Sequence, residues 1–196
     1  MAGSHEVRGS IPLCSTKLSG PELFPALSFF GGAMTLKVAV SACLLGVPCR
    51  YDGKSKPSSS VQEFLDTHDC EVTKICPEVM GGLPIPHPAH EIKRFRDDRT
   101  GEDLLRVVDK EGNDHTAEFL KGAEVACDRA VNNGCTHALL KAKSPSCGVG
   151  LVYDGSFTKT LVPGNGVAAS LMEEKGITVA TENDFKEVFC GKDCEG

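Results

Sequence analysis

The chain has 196 residues, 40% hydrophobic and 24% charged, with a formal net charge of -6 and a pI near 5.5. That composition suits one globular domain with a proper core, and its acidic balance excludes broad binding to duplex DNA or bulk nucleic acid, which needs a basic face. No apolar run approaches the roughly 20 residues of a membrane-spanning helix, and a chain with no Trp and two Tyr is poorly supplied for stacking on a nucleic-acid strand.

Residues 1–33 are rich in Gly, Ser and Pro and show no hydrophobic period. They are expected to be a disordered leader or upstream extension, with the folded domain over 34–196. From there strands and helices alternate. "LKVAVSACL" (36–44) is a short apolar run rich in β-branched residues, a buried strand. "SSVQEFLDTHD" (59–69) starts on a serine cap and carries Val61, Phe64 and Leu65 at helical spacing. "EVTKICPE" (71–78) is a second strand stopped by Pro77. Residues 79–101 are expected to form one long Pro-rich loop, and "EDLLRVVD" (102–109) an edge strand. "NDHTAEFLKGAEVACDRAVNNG" (113–134) is the clearest helix, capped by Asp114 or Thr116 and ended by Gly134. Strand "CTHALLKA" (135–142), helix "GNGVAASLMEEKG" (164–176), strand "ITVAT" (177–181) and helix "ENDFKEVFC" (182–190) follow. This order predicts a single three-layer α/β domain with a central, mostly parallel sheet and helices on both faces.

Ten cysteines suggest disulfides by number alone. The chain lacks a secretory opening and is large enough to fold without staples, so a reducing, cytoplasmic setting with metal-ligating or reactive thiols is expected. Cys43 ends the first strand, Cys76 ends the second, and Cys147 follows "HALLKA". Parallel strands bring their carboxyl ends to one edge, where ligands bind, so these three thiols should converge. The spacing leaves two readings open: small buried hydrophobes, or ligands of a metal group, with the wide spacing suiting an iron–sulfur cluster. Cys127 fits a helix's packed side, and Cys70 and Cys135 belong to the opposite sheet edge. Cys190 and Cys194 form a weak C-x3-C pair. Cys49, six residues past Cys43, could be a fourth ligand or a resolving thiol. Glu78 lies two residues after Cys76, as a general base would, or as a solvated loop acid. Ser144 lies three before Cys147, placed for a hydrogen bond in the same pocket or for a simple turn. "PGNGVAAS" resembles a glycine-rich turn into a helix whose free amides could hold a phosphate.

Together "VSACLLGVPCRYDG", "CPEVMGGLPIP", "LKAKSPSCG" and "YDGSFT…GNGV" resemble the bacterial proteins of domain of unknown function 523, which includes the thiouracil desulfidases. The resemblance spans Lys37 to Glu182. It implies a four-iron four-sulfur cluster held by Cys43, Cys76 and Cys147, with one iron open. It implies Glu78 as the catalytic acid–base group and Ser144 as the catalytic serine. It further implies a small thiolated pyrimidine base or nucleotide as substrate, with no bulk nucleic acid and no membrane involved. The implied reaction removes sulfur from a thiolated uracil, giving the oxo base and hydrogen sulfide; the mechanism expected for it is non-redox, with water attacking the thiocarbonyl carbon. The family commonly has arginine where this chain has His87, and histidine cannot supply the bidentate fork of a guanidinium. A thiol redox or zinc protein using Cys43 and Cys49, and a non-enzymatic nucleotide-binding module, are the alternative functions.

Overall fold

The structure, a computed structural model, describes residues 35–97, 99–101 and 103–190. The expected leader over 1–33 and Cys194 lie outside the described residues. In chain order the elements are β1 (Lys37–Ser41), α1 (Ser59–Thr67), β2 (Glu71–Ile75), α2 (Pro77–Met80), β3 (His90–Arg96) and β4 (Asp103–Asp109). Then come α3 (Thr116–Asn132), β5 (His137–Leu140), β6 (Leu151–Tyr153), β7 (Leu161–Pro163), α4 (Val167–Glu174), β8 (Thr178–Thr181) and α5 (Phe185–Cys190). A 3-10 turn, Ala42–Leu45, follows β1 directly.

The central sheet has the order β2-β1-β5-β8, with every pairing parallel. Alternation along its strands feeds two cores. Ala39, Ala138, Leu140 and Val179 face Ala126, Ala130, Ala169 and Met172 of α3 and α4. Val38, Val40, Leu139 and Ala180 face Val61, Phe64, Leu65 and Phe185 of α1 and α5. This is the expected three-layer arrangement: β1, β5 and β8 are buried on both faces along most of their length, while the edge strand β2 exposes Glu71 and Lys74. Among the described residues no helix is long and apolar enough to cross a membrane.

Local signals act as anticipated at α1. The Ser58 hydroxyl accepts the Val61 N–H at 3.4 Å to cap α1. At α3 the N-cap residue is His115, without a side-chain cap bond, rather than Asp114 or Thr116; Asp114, one residue earlier, accepts the Thr116 N–H at 3.0 Å, and Gly134 follows the helix end at φ 70°. Cys127 is buried between α3 and the sheet, and Cys190 packs beside the α1 side of the core.

Three further expectations are corrected. The long loop over 79–101 contains α2 and β3, and β3 pairs antiparallel with β4 from His90–Asp109 to Arg96–Asp103. Consequently β4 does not lie on the edge of the main sheet; it belongs to a separate hairpin. The short strands β6 and β7 form a second hairpin in a region left without elements. Both hairpins fold because they share a third cluster, in which Leu83, Ile92, Val107 and Val152 pack on Phe119, Ala123, Val167 and Ala168. β3 is buried at His90, Glu91 and Ile92 and mostly exposed beyond them, so charged residues dominate its sequence and hide its period.

Candidate active site

The chain leaves β1 toward β2 on one side and returns to β5 on the other. Reversal of this kind opens a crevice at the carboxyl ends of the strands. A crevice of ≈ 920 Å³ lies there, lined by Cys43, Cys49, Cys76, Cys147, Glu78 and Ser144 among others. All five residues singled out from the sequence, and Cys49, therefore share one wall system. Cys70 and Cys135 stand before β2 and β5, at the far edge.

Each thiol sits on a turn fixed by backbone contacts. Cys43 occupies the 3-10 turn, which Gly46 closes in the left-handed region at φ 87°. Its carbonyl accepts the Lys56 N–H at 2.9 Å. Cys76 is the N-cap residue of α2, with Pro77 at the first helical position. Helix α2 lies backbone to backbone on α3: a Cβ on Gly122 would stand 2.0 Å from the Pro77 carbonyl oxygen, and one on Gly81 2.1 Å from the Glu118 carbonyl oxygen. Cys147 lies in the turn Ser144–Gly148, where the Ser144 hydroxyl accepts the N–H groups of Ser146 at 3.1 Å and Cys147 at 3.2 Å.

That turn is seated on the start of α4. The Val167 N–H donates to the Pro145 carbonyl at 2.9 Å, and the Ala168 N–H to the Ser146 carbonyl at 2.9 Å. Gly166 makes room for the approach, since a Cβ there would lie 2.5 Å from the Ser146 carbonyl carbon. The phosphate-binding expectation for "PGNGVAAS" is thus corrected. Its amides are occupied by the cysteine turn, and its glycine serves close packing.

Glu78 is held from three directions. The hydroxyls of Ser144 and Ser146 donate to its Oε1 at 3.3 and 3.2 Å. His87 Nε2 faces its Oε2 at 3.2 Å, an ion-pair approach without the alignment of a hydrogen bond. The other ring nitrogen of His87 donates to the Pro88 carbonyl at 2.7 Å. Burial works against a charge on His87, but Glu78 and the Pro88 carbonyl outweigh it and hold its pKa above the ordinary value. Behind it, His90 is buried with both ring nitrogens unbonded, 4.4 Å from His115 ring to ring. Burial, with His115 and His87 nearby, pushes the His90 pKa down to about 4.

The thiols are electrostatically linked. The Cys76 thiol donates to the Cys49 carbonyl at 3.6 Å, and interaction with the Cys49 thiol holds the pKa of Cys43 and Cys76 below the usual thiol range while raising that of Cys49. Burial raises Cys147 well above the usual thiol range, against a hydrogen bond from Ser41. Lys141 pairs with Glu182 and its amide donates to the Ser41 hydroxyl at 3.0 Å. Soft thiol donors on three strand ends are the ligands an iron–sulfur cluster takes. Among the described residues no three His, Cys, Asp or Glu side chains close on a single metal ion.

Three contributors escaped the sequence reading. Ser146 is buried beside Ser144 on the same carboxylate oxygen; the doubled serine in "SPSC" was its only signal. His87 was noted as a departure at a substrate grip, yet it faces Glu78. Gly122 stands mid-helix, a position where glycine is costly unless packing demands it.

A family model described as 2-thiouracil desulfurase matches residues 38–184. The chain is 33% identical over 156 residues to the uncharacterized protein YbbK of Bacillus subtilis (strain 168), covering 78% of this chain and 99% of that protein. It also resembles the solved structure of the [4Fe-4S]-dependent thiouracil desulfidase TudS, with a TM-score of 0.67 and 40% identity over 79% of this chain and 96% of that one. Matched over nearly all of its folded domain, by sequence model, by relative and by structure, the chain belongs to the 2-thiouracil desulfurase family.

Proposed function

We propose that this protein is an iron–sulfur cluster-dependent desulfidase. It would convert a thiolated uracil (2- or 4-thiouracil, or a thiouridine nucleotide) and water into the oxo base and hydrogen sulfide, in the cytoplasm and without net redox change. The observation that supports this most is the meeting of Cys43, Cys76 and Cys147 around a crevice where Glu78 and Ser144 touch. In this reading the three thiolates hold a 4Fe-4S cluster and leave one iron open. When bound, the cluster supplies a soft Lewis acid for the thiocarbonyl sulfur.

The chain's own residues divide the remaining work. Glu78 takes a proton from the attacking water. Ser144 accepts two amide hydrogen bonds, so both of its lone pairs are committed and it acts only as a donor. Its proton points at Glu78 or at the pyrimidine, while the Ser146 hydroxyl keeps Glu78 Oε1 in place when Ser144 turns. His87 stands on the opposite oxygen of Glu78, where it orients the carboxylate.

The test is anaerobic reconstitution with iron and sulfide, followed by assay of sulfide release from 2-thiouracil, 4-thiouracil, and 4-thiouridine with and without its phosphate. Bound iron, bound sulfide and release from at least one substrate are expected. Protein that takes up neither iron nor sulfide would overturn the reading. A thiol-exchange function is the second reading, favoured by Cys43 and Cys49 lining the same crevice; thiol counting after mild oxidation separates it, since it requires loss of that pair alone.

A further inference from the structure

We propose that Phe157 forms the wall on which the pyrimidine ring lies, and that Glu91 is the positioning residue that holds it there. This rests on the desulfidase reading and adds two residues to it. Among the described residues four non-glycine positions have positive φ: Asp69, Lys143, Phe157 and Lys159. The last three line the crevice that holds Glu78 and Ser144. Side chains rarely adopt this backbone region, and it persists only where the surroundings over-determine it.

Glu91 supplies that determination for Phe157. It is 9% exposed, on β3, and its Oε2 accepts the Gly155 N–H at 3.0 Å and the Phe157 N–H at 2.9 Å. A single carboxylate oxygen thus ties two amides of the β6–β7 loop, and such bonds to a charged acceptor are the strong ones. The loop is also pressed onto β3, because a Cβ on Gly155 would lie 2.5 Å from the Lys93 Cβ. The loop's own Asp154 N–H donates to the Thr160 carbonyl at 3.2 Å. The Phe157 ring is therefore carried to the crevice by a fixed loop and stays partly exposed there. Both tyrosines of the chain, Tyr51 and Tyr153, line the same crevice. Aromatic faces beside a carboxylate and a hydroxyl suit a flat heteroaromatic ring whose edge is polar.

The test uses the cluster-loaded full chain with Phe157→Ala, Phe157→Leu, Glu91→Ala and Glu91→Gln. Three measurements are made: steady-state kinetics (KM and kcat) with 4-thiouracil, the Kd of uracil by equilibrium dialysis, and trypsin cleavage after Lys159. Phe157→Ala should raise KM and the uracil Kd about ten-fold, with kcat little changed and the visible spectrum intact. Phe157→Leu should fall between. Glu91→Ala should match Phe157→Ala, add nothing to it in combination, and expose Lys159 to trypsin. Glu91→Gln should restore all three, because one carbonyl oxygen can accept both amides. An unchanged uracil Kd and KM in Phe157→Ala would overturn the proposal while the parent's activity stands. So would Glu91→Gln behaving like Glu91→Ala. A loaded parent that neither binds uracil nor releases sulfide overturns the desulfidase reading, and this proposal with it.

Discussion

Substituting Gly122 by alanine sets two effects against each other. Within a helix, alanine is favoured over glycine by about 1 kcal/mol. Here the added Cβ would stand 2.0 Å from the Pro77 carbonyl oxygen and 2.9 Å from the Gly81 nitrogen. An ordinary carbon–oxygen contact is about 3.3 Å, so α2 and α3 must part by roughly 1 Å. Overpacking of this kind costs about 1–3 kcal/mol. The obstruction is backbone rather than a side chain that could rotate away, so the upper part of that range applies and the clash outweighs the propensity gain. The expected net loss is about 1–2 kcal/mol, the difference of those two terms. The larger consequence is local. Helix α2 carries Cys76 and Glu78, and a misplacement of about 1 Å at a reacting group costs on the order of 100-fold in rate. Urea unfolding followed by circular dichroism should show a lower midpoint at unchanged slope. Sulfide release should fall far more than the stability loss explains. Val125→Ala, exposed on the same helix, should stay within about 0.5 kcal/mol. If Gly122→Ala unfolds no earlier than the parent and releases sulfide at the parent rate, the backbone contact does not position the site.

Glu78→Gln should retain bound iron and visible absorbance yet lose about 100- to 10,000-fold in sulfide release; full activity would remove Glu78 as the base. Cys147→Ser should lower the iron content of anaerobically prepared protein, while Cys127→Ser, buried between α3 and the sheet, should leave it unchanged. Stripping iron with a chelator should abolish sulfide release and leave the far-ultraviolet circular dichroism intact, because the turns around the crevice are fixed by backbone contacts. His90 gives a pH effect of definite sign. Its folded pKa of about 4 lies below the ordinary 6.5, so between those values the unfolded chain binds a proton that the folded chain refuses. Stability therefore rises with pH across that window and falls as pH drops through it, by up to about 3 kcal/mol. His90→Phe should flatten the slope of chemical denaturation midpoints between pH 4 and 6.5, and an unchanged slope would assign it to another group.

The parallel sheet was legible because β1, β5 and β8 are short apolar runs buried on both faces, and because Pro77 stops the edge strand β2; all four fall within the expected segments. Once the strands are parallel, the meeting of Cys43 and Cys76 follows from topology, and the turn seated on the start of α4 brings Cys147 to them. The hairpins were not legible. β3 presents His, Glu, Lys and Arg along most of its length, and β6 and β7 are each three residues long. Their existence depends on Phe119 and Ala123 offering a surface to cover, which no local pattern announces. The glycine-rich turn before α4 was misread for a different reason. Free helix amides and occupied ones share the same sequence signature, and only the position of Pro145 and Ser146 tells them apart. His87 reaches Glu78 because its segment is tied to Tyr51, whose carbonyl accepts the His87 N–H at 2.9 Å. That link joins residues distant in the chain.

The crevice owes its shape to four locks of different physical kind. The Cys43 turn is closed by a left-handed glycine and tied to Lys56. The Cys76 turn rests on the Gly81–Gly122 contact. The Cys147 turn is hydrogen-bonded to the amides of α4. The Phe157 loop hangs from the Glu91 carboxylate. None of these locks involves a cysteine sulfur or the Glu78 carboxylate. The reactive side chains are thus carried on turns whose geometry is set without them, which is how a site is held near its working arrangement before anything binds. It follows that side-chain substitutions at Cys43, Cys76, Cys147 or Glu78 change chemistry with little change of fold. Substitutions at Gly122, Gly166 or Glu91 instead displace the site while removing none of the reacting atoms. Separating those two classes by activity alone is impossible; stability and iron content, measured together on each variant, distinguish them.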